Sequence, residues 1–382
     1  MKRVQSLLIF CLFLTLAITG CGGSGGSDTS DMAQVQKDDI AGDNYSSDDI
    51  APVTGPGWYK GDLHAHSVFS DGDVSVGDVV KIAEAKGLNF FTLTDHMNGD
   101  NDNITKSWND PGYHSSKLTL IYGAEWTTGK GHANVWSNKR YDWKALYAFD
   151  KTKNAKEAIA AAHSFRTESQ EVLFSINHPM NSWEFSFEDS IDADSMEIWN
   201  TVIPMPDFID GYFKKGKRIA AIGGSDSHEH MAEYQEIKDM AANVHNIGWP
   251  TTWVYAESSS ALDILKGIRA GRTAVSISPD GPFMEFTADA DSDGYFELMA
   301  GDAIPAGAFG KDVDFKIMVT NSKISSTFLT VIKNGIMFKK TWCANDVYIY
   351  EFTDKPEEGD YYRVQIGNGI LLLGFAGPIY TW

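Results

Sequence analysis

Cysteine is scarce in this chain. Three occur in 382 residues: Cys11 inside an apolar N-terminal run, Cys21 just after it, and Cys343 near the other end. No disulfide framework can therefore organise the fold. Cys343 follows Lys339, Lys340, Thr341 and Trp342 with no histidine beside it, so nothing activates it as a thiolate nucleophile and it is expected as a buried small hydrophobe. Positive charge is short as well. Lys and Arg number 32 against 52 Asp and Glu, for a formal net charge of −20. Without a basic stripe to displace phosphate counterions, a nucleic acid polymer is excluded as partner. Small anionic substrates are not, because bound cations invert the local field. The apolar run at 7–18 also falls short of the roughly 20 residues that a membrane-spanning helix needs.

What is present begins with that run. It follows Met1, Lys2 and Arg3, the basic start and short hydrophobic stretch of an export signal. Ile18-Thr19-Gly20-Cys21 closes it and resembles a bacterial lipobox, in which cleavage precedes the cysteine and the cysteine takes the lipid. The resemblance implies a signal peptide at 1–20 and a membrane tether through lipid on Cys21. Gly22 rather than Asp follows, which by resemblance to Gram-negative lipoproteins favours the outer membrane, facing periplasm or surface. Residues 21–57, rich in Gly, Ser, Asp and Asn, are expected as a flexible acidic linker.

The remainder changes style once. Residues 58–278 alternate apolar runs at 88–93, 118–122, 172–176, 196–199 and 219–222 with helical patterns. Helices are predicted where Ser75-x-x-Asp78 caps 79–85 ahead of Gly87, at 155–165, at 206–215, and from Ser260-x-x-Asp263 to Gly271. Strand then helix, repeated, implies a parallel sheet or a closed α/β barrel. Residues 279–382 instead carry short strand runs at 283–286, 313–319, 328–333, 347–352 and 361–367, with turns at Asp293-Gly294, Asn334-Gly335 and Glu358-Gly359. They read as a small all-β, sandwich-like domain without a catalytic cluster.

Six of the ten histidines fall in the barrel region's motifs: His64 and His66 in GDLHAHS, His96 in LTDH, His132 in GKGHANVW, His178 in INHP and His228 in GGSDSHEH. His96, Glu125, His178 and Asp226 with His228 each follow a predicted strand, and one rim of a barrel gathers such strand ends. His64-x-His66 points both imidazoles to one face of an extended segment. Imidazoles with the carboxylates of Asp71, Glu125 and Asp226 suit Mn²⁺, Fe²⁺ or Zn²⁺ better than Mg²⁺ or Ca²⁺. Glu125 is the candidate bridge between adjacent cations roughly 3.5–4 Å apart.

GDLHAHSVFSDG, LTDH, the strand-end glutamate, NHP and GSDSH stand in the order found in the PHP (polymerase and histidinol phosphatase) metal-dependent hydrolases. The pattern looks closest to the branch with carbaryl-type esterases and cyclic or nucleotide phosphoesterases. The resemblance covers 58–278. It implies a distorted seven-stranded barrel holding two or three divalent cations: His64, His66, Glu125 and Asp226 at the first, Asp71 and His96 sharing Glu125 at the second, and His132, His178 and His228 at the third. Asp71 stands where some relatives have histidine, which favours manganese or iron over zinc there.

The implied reaction is hydrolysis of small phosphomonoesters, nucleotides or phosphodiesters by a metal-bridging hydroxide. Asp95 would either protonate the leaving group or orient a ligand histidine. Phosphate recognition asks for an arginine fork. Arg140, Arg166 and Arg272 lie in the barrel region, and Arg166, shortly before the 172–176 strand, is the candidate contact. Two other readings stay open. One is a carboxylic or carbamate ester hydrolase whose apolar slot draws on Trp126, Trp136, Trp183 and Trp199. The other is a non-enzymatic anchored binding lipoprotein whose β domain holds a partner.

Overall fold

The computed structural model describes residues 54–99, 101–228, 247–322, 327–343, 345–369 and 371–382. The signal segment, Cys21 and most of the linker lie outside them. Local signals act as expected at the first helix, Val76–Ala85. Ser75 Oγ accepts from the Asp78 N–H and donates to the Asp78 carboxylate, and Gly87 leaves in the left-handed conformation at φ +66°. The helix buries Val76, Val79, Val80, Ile82 and Ala83.

Strands β1 (Thr54–Asp62), β2 (Phe90–Leu93), β3 (Thr119–Thr128), β4 (Gly131–Ser137), β5 (Val172–Ile176), β6 (Ser195–Asn200), the short β7 (Ile203–Pro204) and β8 (Ala220–Gly224) build the barrel. Neighbours β1–β2, β2–β3, β5–β6 and β6–β8 run parallel. β4 runs against both β3 and β5, which distorts the ring. It closes where the chain beyond β8 meets the chain beyond β1: Ala65 and Ser227 form a parallel bridge, His66 N–H donates to Ser227 O, and Asp226 N–H donates to His64 O. β2, β5 and β8 are buried at every position, as parallel strands covered on both faces must be.

β9 (Thr251–Ser258) adds antiparallel to β1, and β10 (Thr273–Ser276) to β9, either side of the helix Ala261–Arg269. The smaller antiparallel domain follows. One sheet is β12 (Leu298–Met299), β11 (Phe283–Asp289), β13 (Val313–Thr320) and β16 (Tyr348–Asp354); the other is β15 (Ile336–Cys343), β14 (Thr327–Lys333), β17 (Tyr361–Gly367) and β18 (Leu372–Tyr380). β13 alternates buried and half-buried residues, and Phe286, Phe315, Ile317, Leu329, Val331 and Val364 pack between the sheets. Cys343 is buried and free.

The sandwich is not closed off from the barrel. β18 pairs with β10, so one sheet runs from the barrel into the β domain. Fully buried Arg363 on β17 forks onto Asp210, Nε to Oδ1 at 2.9 Å and Nη2 to Oδ2 at 2.7 Å, and reaches Asp207 at 2.8 Å. The helix predicted at 206–215 shrinks to Asp210–Phe213. Asp207 on its approach and Asp210, its first residue, hold this guanidinium.

Candidate metal centre

The strand ends on one rim bring the motif residues together around Glu125. This glutamate lies within β3 and is fully buried. Its Oε1 is 3.4 Å from His64 Nε2, 3.2 Å from His132 Nδ1 and 3.7 Å from His178 Nε2. Its Oε2 is 3.6 Å from His66 Nε2 and 2.7 Å from His96 Nδ1. The Asn177 amide donates to Oε1 at 2.9 Å and fixes the carboxylate. Asp226 Oδ1 sits 3.2 Å from both His64 Nε2 and His66 Nε2. Asp71 places Oδ1 3.2 Å from His228 Nε2 and Oδ2 3.5 Å from His96 Nε2.

Potential ligand atoms thus converge in three overlapping groups: His64, His66 and Asp226; His96, Glu125 and His132; and His66, Asp71, His96 and His228. His64, His66 and Glu125 form a buried floor, while Asp71, His96, His132 and His228 are partly exposed around it.

Whether cations fit is answered by the floor itself. His64 Nε2 is buried without a hydrogen bond, an arrangement native structures rarely leave unfilled. Imidazole nitrogens with carboxylate oxygens are the donor set of divalent transition metals. The electrostatics agree. Burial opposes charge on His64, but the Asp226, Glu197 and Glu125 carboxylates outweigh it and hold its pKa well above the usual histidine value. Burial also works against the Glu125 charge, yet His64 and hydrogen bonds from His132 and His178 hold its carboxyl well below the ordinary range. For His66 burial wins, and its pKa is lowered.

Residues 62–247 match the PHP domain family. They are a PHP domain. Every ligand candidate falls inside the match. The fold is also similar to that of a two-domain protein containing a predicted PHP-like metal-dependent phosphoesterase from Bacteroides vulgatus, at 18% identity over 88% of this chain and 99% of that one, with a TM-score of 0.44. It is similar to PsfC from Pseudomonas syringae at 15% identity over 52% and 83%, with a TM-score of 0.38. No curated protein matches the chain.

The groups in this PHP domain differ from those the resemblance implied. His228 lies with Asp71 and stacks on His66 at 4.0 Å between ring centroids, rather than beside His132 and His178. The cause is Asp226, whose left-handed φ of +52° turns the chain before His228. His132 and His178 stay together, their rings 5.0 Å apart, and share Glu125 Oε1.

Asp95 accepts from Ser67 N–H at 2.7 Å, Ser67 Oγ at 2.8 Å and Ser70 Oγ at 2.7 Å, and Ser70 Oγ lies 3.3 Å from His66 Nδ1. It clamps the loop that presents Asp71. A proton donor needs an oxygen open to the leaving group, and both oxygens of this buried carboxylate are taken.

The reading of Arg166 as a phosphate contact is corrected. Its Nη2 binds Asp194 Oδ1 at 2.6 Å, its Nε donates to Val172 O at 2.7 Å, and Glu171 lies 3.1 Å away. Val172 begins β5 whereas His178 follows its end, a separation of roughly 20 Å along an extended strand. The other described arginines are also engaged elsewhere: Arg140 with Trp108 O, Arg218 with Trp382 O, Arg269 with Glu171, Arg272 with Asp302 and Arg363 with Asp210. Trp126, Trp136 and Trp199 are core rather than a substrate slot, and Trp183 packs on Phe185 at 4.8 Å. Residues not assigned as ligands also serve the site: Asn177 of the INHP motif on Glu125, Asp62 of GDLHAHS accepting from the His64, Ser225 and Gly248 N–H groups, and Glu197, outside every motif, beside His64.

Proposed function

We propose that this PHP domain is a metal-dependent phosphoesterase acting on small phosphomonoesters, nucleotides or phosphodiesters. The observation that carries the reading is the Glu125 carboxylate standing between five imidazoles, with Asp226 and Asp71 on either side. His64, His66, Glu125 and Asp226 would hold one cation, Asp71, His66, His96 and His228 a second, and His132 and His178 with Glu125 a third. Cations there supply Lewis-acid polarisation of an ester oxygen and activation of water near neutral pH. The protein supplies direction. The buried floor closes one side, so an ester enters past Asp71, His96, His132 and His228. Asp95 holds the Asp71 loop through Ser67 and Ser70, and Asn177 fixes the Glu125 carboxylate. Manganese or iron is favoured by the carboxylate of Asp71 in the outer group.

One observation favours carboxylic or carbamate ester cleavage as a second reading. Each described arginine is engaged elsewhere, while Val68, Met180 and Val202 are exposed two residues beyond His66, His178 and Asn200. A site with no guanidinium committed to it suits an uncharged ester better than a phosphomonoester dianion. Protein loaded with Mn²⁺, Fe²⁺ or Zn²⁺ and offered p-nitrophenyl phosphate, its bis ester and aryl carboxyl esters separates the two. Turnover of either phosphate ester supports the first reading; turnover of carboxyl esters alone replaces it with the second. No turnover by metal-loaded protein contradicts both and leaves the binding lipoprotein. Export and lipid attachment at Cys21 complete the proposal, supported by Ile18-Thr19-Gly20-Cys21; loss of lipid labelling in Cys21→Ala is expected, and label retained there would refute it.

A further inference from the structure

We infer that Glu197 is the positioning residue of the metal centre, a buried carboxylate that fixes which nitrogen of His64 faces the cations and ties His178 and Asp226 into the same frame. This rests on reading the cluster as a metal centre.

Glu197 lies in mid-β6 and is fully buried. Its Oε1 is 2.7 Å from His64 Nδ1, and its Oε2 accepts from His178 N–H at 2.8 Å and from Asn200 Nδ2 at 2.9 Å. The same Asn200 amide reaches Asp226 Oδ2 at 3.3 Å. One carboxylate thereby contacts His64 and the backbone of His178 directly, and Asp226 through one side chain.

A carboxylate only accepts, so His64 must carry a proton on Nδ1. That leaves Nε2 to face Asp226 Oδ1 at 3.2 Å and Glu125 Oε1 at 3.4 Å, and this Nε2 is the buried nitrogen without a hydrogen bond. A histidine that ligates a metal commonly gives its other N–H to a carboxylate, which sets the tautomer and makes the ligand nitrogen more basic.

The chain accommodates this contact in two further places. Residues three apart on a regular strand point to opposite faces, yet Glu197 and Asn200 meet. The β6–β8 register slips between Glu197, opposite Ile222, and Trp199, opposite Gly223, and such a bulge re-aims side chains. Gly224 on β8 provides the space: a Cβ there would lie 2.4 Å from Glu197 Oε1 and 2.7 Å from His64 Cβ. His178 is held at φ +27°, a costly conformation for a residue with a side chain, and its N–H is one of those Glu197 accepts.

The test uses the full chain, with Mn²⁺ affinity read by chelator competition and ¹⁵N-histidine spectra taken on the Zn²⁺-loaded protein. In the wild type, His64 is expected to carry its proton on Nδ1; a proton on Nε2 overturns the inference without any variant. Glu197→Gln offers one accepting oxygen and a donor amide where three donors converge, and should weaken Mn²⁺ binding 10–100-fold. Gly224→Ala, which pushes the carboxylate from behind, should weaken it in the same direction. Wild-type affinity in both variants overturns the inference even if the wild type binds Mn²⁺ well, and if Glu197→Gln fails to fold, Gly224→Ala and the wild-type spectrum decide. A wild type that takes up neither Mn²⁺ nor Zn²⁺ overturns the metal-centre reading itself.

Discussion

Glu125→Gln is the substitution with the largest expected effect on the site. It keeps the shape of the side chain and the oxygen that Asn177 holds, but replaces one oxygen with a donor amide and removes the negative charge among five imidazoles. With Asn177 fixing oxygen at the Oε1 position, the new amide faces His66 and His96 and offers them no lone pair. Affinity for Mn²⁺ should fall at least about 100-fold, the upper end for losing even an indirect partner of a ligand. At a Mn²⁺ concentration 100 times the wild-type Kd, bound metal stabilises the wild type by about 2.7 kcal/mol; after a 100-fold loss the same concentration gives the variant about 0.4 kcal/mol. At roughly 2 °C per kcal/mol for a protein of this size, the metal-induced rise in Tm drops from about 5 °C to under about 1 °C. Thermal melts with Mn²⁺ and with chelator measure it, each protein serving as its own control. Equal rises in both proteins would refute the role given to Glu125.

Arg166→Met should destabilise by about 3 kcal/mol, because buried Asp194 loses its guanidinium, yet leave KM for phosphate esters unchanged; a raised KM with unchanged stability would return Arg166 to the site. Burial pushes the Asp194 carboxyl up, but its hydrogen bond to His163 and the His163 and Arg166 charges outweigh it and hold the pKa below the usual aspartate value. Its contribution is therefore full above the unfolded pKa near about 4 and is lost as pH falls through the lower folded value. The stability gap between wild type and Asp194→Asn should narrow as pH falls below about 4, and a constant gap in urea melts across the acid range contradicts the assignment. Arg363→Met leaves Asp210 buried and unpaired where barrel and β domain join, with an expected loss of about 3–5 kcal/mol in chemical denaturation; a loss below about 1 kcal/mol would mean that the join does not depend on this fork. Asp95→Ala frees the Ser67 and Ser70 hydroxyls, and should lower bound Mn²⁺ by the ion that Asp71 serves while the deeper one stays; unchanged stoichiometry would count against the clamp.

Much of the architecture was legible because its signals are local. The apolar runs at 172–176 and 361–367 coincide with β5 and β17, and the Ser75-x-x-Asp78 cap is made as written. β4 escaped because Gly131–Ser137 mixes small, polar and apolar residues and is buried by the barrel around it rather than by its own alternation. Its antiparallel direction is equally non-local. Arg166 precedes its strand in sequence, and the direction of β5 therefore puts it at the end opposite the site. Glu197 sits within Met196-Glu197-Ile198-Trp199, where an acid among apolar residues reads as the solvent face of a strand. Only the β6–β8 slip and the absence of a side chain at Gly224 aim it at His64. The placement of His228 depends likewise on one left-handed residue, Asp226, which composition does not announce.

Elemental analysis of full-length protein reconstituted with Mn²⁺ and passed through a desalting column tests the central claim most directly. Convergence of these imidazoles and carboxylates predicts two or three ions retained per chain, falling sharply in His64→Ala/His66→Ala. Retention of less than one ion by folded wild type, or equal retention by the double variant, would contradict it.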